Sequence, residues 1–175
     1  MGRKLILYAA ISMDGYLADK EGGVSFLDGY GDMQEYEAFL QEVDTVVMGA
    51  VTYRQIRTEL FPGAWPYQGM KSYVFTSRPE RAEEEITFCS GDACKMVQQW
   101  KQQEGKHLWL CGGANLIRPL VEQNLVDEYR LMIVPVLLGD GIPLFSKGFS
   151  SIALKQQRIT NYSDGSISMV YSPAK

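Results

Sequence analysis

Histidine is almost missing from this chain and cysteine is scarce. The one histidine, His107, leaves a Ser-His-Asp triad or a histidine-rich metal site almost nothing to build on, so no metal is expected. Cys89, Cys94 and Cys111 are odd in number and lack CxxC spacing, which argues against an oxidised secreted scaffold and for a cytoplasmic setting. Cys111 and His107 could be read as a thiol–imidazole pair, but in a strand they would stand about 13 Å apart. A buried structural thiol is the competing reading. Positive charge is short as well: 17 Lys and Arg face 21 Asp and Glu, a net charge of −4. The basic face that nucleic-acid binding needs is therefore not expected. Nor is there a long apolar run. The first one starts at Leu5 and meets Asp14 within ten residues, too short for a secretory signal or a membrane span. No repeat, low-complexity tract or linker interrupts the chain, and 175 residues suit a single domain over 1–175.

Glycine is what the chain has in quantity, 17 residues of it, and the positions matter more than the number. Lys4 to Ser12 reads as a buried central strand, broken by Asp14-Gly15. Glycines 22, 23, 29 and 31 mark a long loop, either a mobile lid or a plain surface connection. Asp32 to Glu42 has helical spacing and opens with a capping box, Asp32 with Glu35. Thr45 to Met48 is a strand and Thr52 to Leu60 a helix; Ser72 to Thr76 and Ile86 to Cys89 are strands. Asp92 to Gln103 is a helix, His107 to Cys111 a strand, and Asn115 to Gln123 a helix. Asp127 to Leu138 is long and apolar, and a hairpin splits at Asp164-Gly165, with Ile167, Met169 and Tyr171 alternating on a half-buried strand. Strands alternating with helices predict an α/β fold: a mainly parallel central sheet with helices on both faces and a C-terminal antiparallel hairpin at one edge.

Three strand-to-helix turns fall on the same rim, where such sheets collect ligands. In Gly49-Ala50-Val51-Thr52 the glycine admits a ligand to the backbone and the helix amides suit an anion, although Thr52 could equally be an N-cap. In Thr76-Ser77-Arg78 two hydroxyls and a guanidinium suit a phosphate; an ordinary polar turn closed by Pro79 is the alternative. In Cys111-Gly112-Gly113-Ala114-Asn115 a glycine pair between strand and helix fits a pyrophosphate nest, without the G-x-G-x-x-G spacing of the dinucleotide fingerprint. Together the three imply an extended phosphorylated ligand, most economically a nucleotide cofactor. Gly139-Asp140-Gly141 reads as a turn, since the residues after it run extended.

The order of these pieces resembles the dihydrofolate reductase-like superfamily. Within it the chain is similar to stand-alone relatives of the reductase domain of bifunctional riboflavin-biosynthesis deaminase/reductases. The resemblance rests on Ser12 to Ala18, Val46 to Tyr53, Tyr73 to Arg78, Leu108 to Gly113, Leu125 to Glu128 and Pro135 to Phe145. It implies an NADPH-dependent reductase, NADH being possible, that passes hydride to a pterin- or pyrimidine-like ring. A non-catalytic nucleotide- or flavin-binding module and a true folate or pterin reductase are the alternatives. By the resemblance, Gly49, Ala50, Thr52 and Gly112, Gly113, Ala114, Asn115 and Leu116 would hold the pyrophosphate and its flanks. Thr76, Ser77 and Arg78 would meet the adenosine ribose and its 2′-phosphate.

The chain departs from that pattern. Ala50 stands where relatives often carry a 2′-phosphate-binding cation, leaving Arg78 or Arg54 to compensate. Tyr8 stands where riboflavin-pathway members carry a lysine, and Tyr16 where another basic residue is common, which puts a phosphoribosyl substrate in doubt. Dihydrofolate reductases use an acid at the start of the first helix, for which Asp32 is the nearest match and Asp28 the second. Asp14 is a turn acid or a substrate contact. The expected partners are a small heterocyclic substrate and a second copy, as a homodimer.

Overall fold

The structure, a computed structural model, describes residues 2–78 and 81–174. Pro79, expected to close the Thr76–Arg78 turn, lies outside the described residues. In chain order the first half holds β1 (Leu5–Ser12), β2 (Tyr16–Ala18), α1 (Met33–Glu42), β3 (Val43–Gly49), α2 (Ala50–Gln55), β4 (Lys71–Phe75) and β5 (Ile86–Cys89). The second half holds α3 (Ala93–Lys101), β6 (His107–Gly112), α4 (Ala114–Glu122), β7 (Glu128–Val134), β8 (Ile142–Pro143), β9 (Leu154–Asn161) and β10 (Ile167–Pro173).

Strand β1 is apolar along almost its whole length because both of its faces are covered. Leu5, Leu7, Ala9 and Ile11 enter one core with α3 and α4, while Ile6 enters another with α1 and α2, and Tyr8 packs against that second core. The eight-stranded sheet runs β5-β4-β3-β6-β1-β7-β10-β9. The first six strands are parallel, and β10 and β9 add antiparallel at the edge. The expected fold class is the observed one. A small second sheet pairs β2 with β8, so the segment after Gly141 does run extended.

Local chemistry sets the boundaries. Asp92 caps α3, accepting from the Cys94 and Lys95 amides, and Asp32 caps α1, accepting from Gln34 N at 2.8 Å. Such caps contribute about 1 kcal/mol each. The expected capping box is only half made. Glu35 turns to the β9–β10 hairpin, accepting from Ser168 Oγ at 2.9 Å, from the Tyr162 hydroxyl and from Arg158 at 3.2 Å. The second helix starts at Ala50 rather than Thr52, capped by Gly49, and its last turn, Ile56–Leu60, widens to π geometry. Strand β7 stops at Val134 instead of reaching Leu138, because Pro135 offers no ladder amide. Strand β10 alternates as expected, yet its deeper face is Ser168 and Val170, with buried Ser166 just before it and Ile167, Met169 and Tyr171 only half-buried. That face lies toward α1, where Glu35 satisfies the buried Ser168 hydroxyl.

Candidate active site

An open cleft of about 1470 Å³ runs across the carboxyl ends of the parallel strands. That exceeds the roughly 300–1,000 Å³ of a single small-molecule site. All three turns singled out from the sequence line it. Two of them touch. A Cβ built on Gly113 would lie 3.3 Å from Thr52 Oγ1, and one on Gly49 3.7 Å from the Gly113 nitrogen. Gly112 has φ +143°, a region that side chains avoid, and its peptide bond to Gly113 is cis. The N-cap positions of α2 and α4 are Gly49 and Gly113, so neither helix has a side-chain cap, and their first amides face a rim with no competing oxygen from the cap residue. Thr52 is not the N-cap; it sits one turn in, with its hydroxyl against the glycine pair.

The third turn completes the wall. Thr76 N bonds to Cys89 O at 2.9 Å, tying it to β5, and Thr76 Oγ1 accepts from Arg78 N at 3.1 Å. Ser77 and Arg78 are exposed at the rim, as is Asn115, while Leu116 is buried beneath. Beside this turn, Gly91, Asp92, Pro119 and Gln123 continue the cleft on the α3/α4 side of the sheet.

On the α1/α2 side the cleft becomes aromatic. Tyr8, Tyr36, Tyr67, Trp109 and Cys111 line it. Tyr8 stacks on Phe39 with centroids 4.2 Å apart. Trp109 stands edge-on to Tyr36 at 6.1 Å and to Tyr67 at 5.0 Å, and its Nε1 donates to Tyr8 O at 3.2 Å. Burial pushes Tyr8 and Tyr36 up to about 12, so both phenols stay protonated at neutral pH. Tyr67 is raised further, chiefly by burial, and its hydroxyl meets Cys111 Sγ at 3.8 Å. Burial also pushes the Cys111 thiol up to about 11. His107 sits at the other end of β6, its Nδ1 accepting from Lys4 N at 3.2 Å, so no thiol–imidazole pair forms.

The candidate acids stand elsewhere. Asp14 accepts from Ser12 Oγ at 2.7 Å and from the Leu138 and Gly139 amides at 3.1 and 2.8 Å. Those bonds, the Ser12 one foremost, hold its pKa below the usual carboxylate range, which suits a structural clamp rather than a proton donor. Asp32 is occupied as the N-cap, and Asp28 is exposed at the end of a short 3₁₀ turn. None of the three lines the cleft among the described residues; Arg54 does, from the exposed side of α2. The sequence alone does not mark the tyrosines as site residues: Tyr8 reads as a departure from the family pattern, and Tyr36 as an ordinary apolar helix position. Gly22 and Gln55 also meet here: Gln55 Nε2 donates to Gly22 O at 2.7 Å, joining the glycine-rich loop to α2. No group of three or more His, Cys, Asp or Glu among the described residues could hold a metal, and no described helix is long and apolar enough to cross a membrane.

This mainly parallel sheet, covered on both faces, closed by an antiparallel edge hairpin and cleft at its carboxyl rim, has the dihydrofolate reductase-like fold. The fold matches dihydrofolate reductase from Enterococcus faecalis, solved with NADP(H) and RAB-propyl, at TM-score 0.71 and 14% identity over 98% of this chain and 97% of that one. More narrowly, the chain belongs to the RibD C-terminal domain family, whose model matches residues 3–168. A candidate riboflavin biosynthesis protein of Shewanella sp. PV-4 is similar in fold at TM-score 0.87 and 24% identity, covering 100% of both chains. In sequence the chain is 40% identical over 149 residues to "Uncharacterized protein YwjB" of Bacillus subtilis (strain 168), covering 83% of this chain and 84% of that protein. It is 32% identical to "Uncharacterized protein YyaP" of the same organism, covering 97% and 94%.

Proposed function

We propose that the chain is an NADPH-dependent reductase acting on a small pterin- or pyrimidine-like heterocycle. One observation carries this reading: a single cleft joins two glycine-capped helix starts to an aromatic slot, with room for a dinucleotide and a second ring together. Gly49, Ala50 and Thr52 with Gly112, Gly113, Ala114, Asn115 and Leu116 would take the pyrophosphate on backbone amides, the glycine N-cap positions leaving those amides open to it. Thr76, Ser77 and Arg78 would meet the adenosine ribose and 2′-phosphate. The net charge of −4 does not oppose this, because amides and one or two arginines supply the local positive field. The nicotinamide, when bound, supplies the hydride. The protein's own share is to hold both rings, exclude water with the aromatic wall and keep phenol protons at hand. The NADP(H) in the E. faecalis reductase of the same fold supports the cofactor choice. A cytoplasmic homodimer belongs to the same reading.

Titration with NADPH and NADH, followed by thermal shift, tests it. Binding at a hundredfold excess over Kd stabilises by about 2.7 kcal/mol, a rise of roughly 5–10 °C for a chain of this size. No stabilisation by either dinucleotide would sink the reductase reading. Arg78→Ala should weaken NADPH about tenfold or more, the worth of a charge-assisted bond, and leave NADH nearly unchanged. Equal loss would mean that Arg78 does not read the 2′-phosphate. Stabilisation without turnover of any heterocycle would favour the nucleotide-binding module.

A further inference from the structure

We infer that the aromatic end of the cleft takes a neutral, planar, carbonyl-bearing ring, held by the hydroxyls of Tyr8 and Tyr36 beside Trp109, and turns away rings that carry a phosphate or a cationic amidine. The inference names the acceptor class of the reductase proposed above and rests on that reading.

Three features of the slot lead to it. The first is its donors. Among the described residues neither the Tyr8 nor the Tyr36 hydroxyl has a hydrogen-bond partner, and neither oxygen is sealed from solvent. Two uncommitted phenols 6.2 Å apart, centroid to centroid, open onto a cleft whose wall is Trp109. A protonated phenol donates to a carbonyl oxygen or a ring nitrogen and makes no ion pair. The second is the cations. Those lining the cleft among the described residues are Arg54 on α2 and Arg78 at the end of β4, both exposed. None comes from β1, β6 or α1, which build the slot. Arg130, the cation nearest to Tyr8 in its ladder, is committed to Glu42 and Glu128 behind Phe39. A phosphate drawn into the slot would lose water without gaining a partner. The third is the acids. The lining acid among the described residues is Asp92, a helix cap on the other side of the sheet. Glu35 lies near enough for its charge to help raise Tyr8, but it does not line the cleft and is already engaged by Ser168, Tyr162 and Arg158, so an amidinium finds no free carboxylate to fork against.

Calorimetry with one ring and three tails tests this on the full chain, first saturated with NADP⁺. Lumiflavin is neutral, riboflavin has a neutral ribityl tail, and FMN adds a phosphate to that tail. Lumiflavin should bind at least tenfold more tightly than FMN, riboflavin should follow lumiflavin more closely than FMN, and trimethoprim, a diaminopyrimidine, should bind at least tenfold more weakly than lumiflavin. Tyr8→Phe and Tyr36→Phe should each weaken lumiflavin about fivefold, the worth of one hydrogen bond, and leave NADP⁺ affinity within twofold. Tyr8→Lys should reverse the order in favour of FMN; should that variant not fold, the two Phe variants carry the test. FMN or trimethoprim binding as tightly as lumiflavin overturns the inference, as does an unchanged lumiflavin affinity in both Phe variants. The NADP⁺ titration reads the reductase proposal separately. A lumiflavin preference without NADP⁺ binding would sink that proposal and keep the ring selectivity, whereas NADP⁺ binding with FMN preferred would do the reverse.

Discussion

Replacing Arg130 by Met should cost the protein about 3 kcal/mol, most of it through the charge left behind. Arg130 donates to Glu128 through Nε and to Glu42 at 2.6 and 3.1 Å, and its guanidinium lies 5.3 Å from the Phe39 centroid. The Arg130 and Glu128 side chains are 13% and 12% exposed, so cutting this pair orphans a nearly buried carboxylate. Breaking such a pair costs about 3–5 kcal/mol. Lys4 Nζ remains 3.2 Å from Glu128 and takes up part of the loss, which favours the lower figure. Glu42 is 43% exposed and adds less than about 1 kcal/mol. Met keeps the apolar stem over Phe39. At roughly 2–4 °C per kcal/mol for a chain of this size, thermal unfolding by circular dichroism should move down by about 6–12 °C. Glu128→Gln combined with Arg130→Met should recover most of that drop, because the orphaned charge goes too. The gap between wild type and Arg130→Met should narrow in acid. The Arg130 hydrogen bond, ahead of its charge, holds Glu42 below the ordinary glutamate range, so that stability is present above about pH 4 and lost as pH falls through the lowered folded value. A drop under 2 °C, or a double variant no more stable than the single one, would refute this account of the network.

Two further predictions concern the turns. Asp14→Ala should lower the melting temperature and speed amide exchange at Leu138 and Gly139, whose N–H groups its carboxylate accepts. In the wild type, protection of those amides should persist above about pH 4 and fade below it, since Asp14's folded pKa is depressed; exchange unchanged by the substitution would count against the clamp. Gly112→Ala should cost about 1–3 kcal/mol, because φ +143° suits glycine almost alone. Gly113→Ala, at φ −86°, asks only that the Thr52 hydroxyl 3.3 Å away give ground, so it should be the milder of the two by chemical denaturation. Equal costs, or the opposite order, would refute the conformational argument.

What could be read along the chain was what depends on neighbours in sequence. An unbroken apolar run means a strand covered twice, and glycine between a strand and an amphipathic helix means an open helix start. The fold class and the three cleft-lining turns follow from such short patterns. The β10 alternation was visible too, but not that its serine face would be the deeper one, because that depends on Glu35 crossing from α1.

The layers of the fold, its edge hairpin and the rim on which the glycine turns fall are legible along the chain, since hydrophobic period and turn chemistry act over a few residues. The side chains that line the site come together through long-range contacts. Tyr8 and Trp109 meet from 101 residues apart, and Asp14 is drawn away to amides 124 and 125 residues distant. Such meetings come from strand register and helix docking, so the aromatic slot and the posts of the acids appear once the sheet has brought β1, β6 and α1 together.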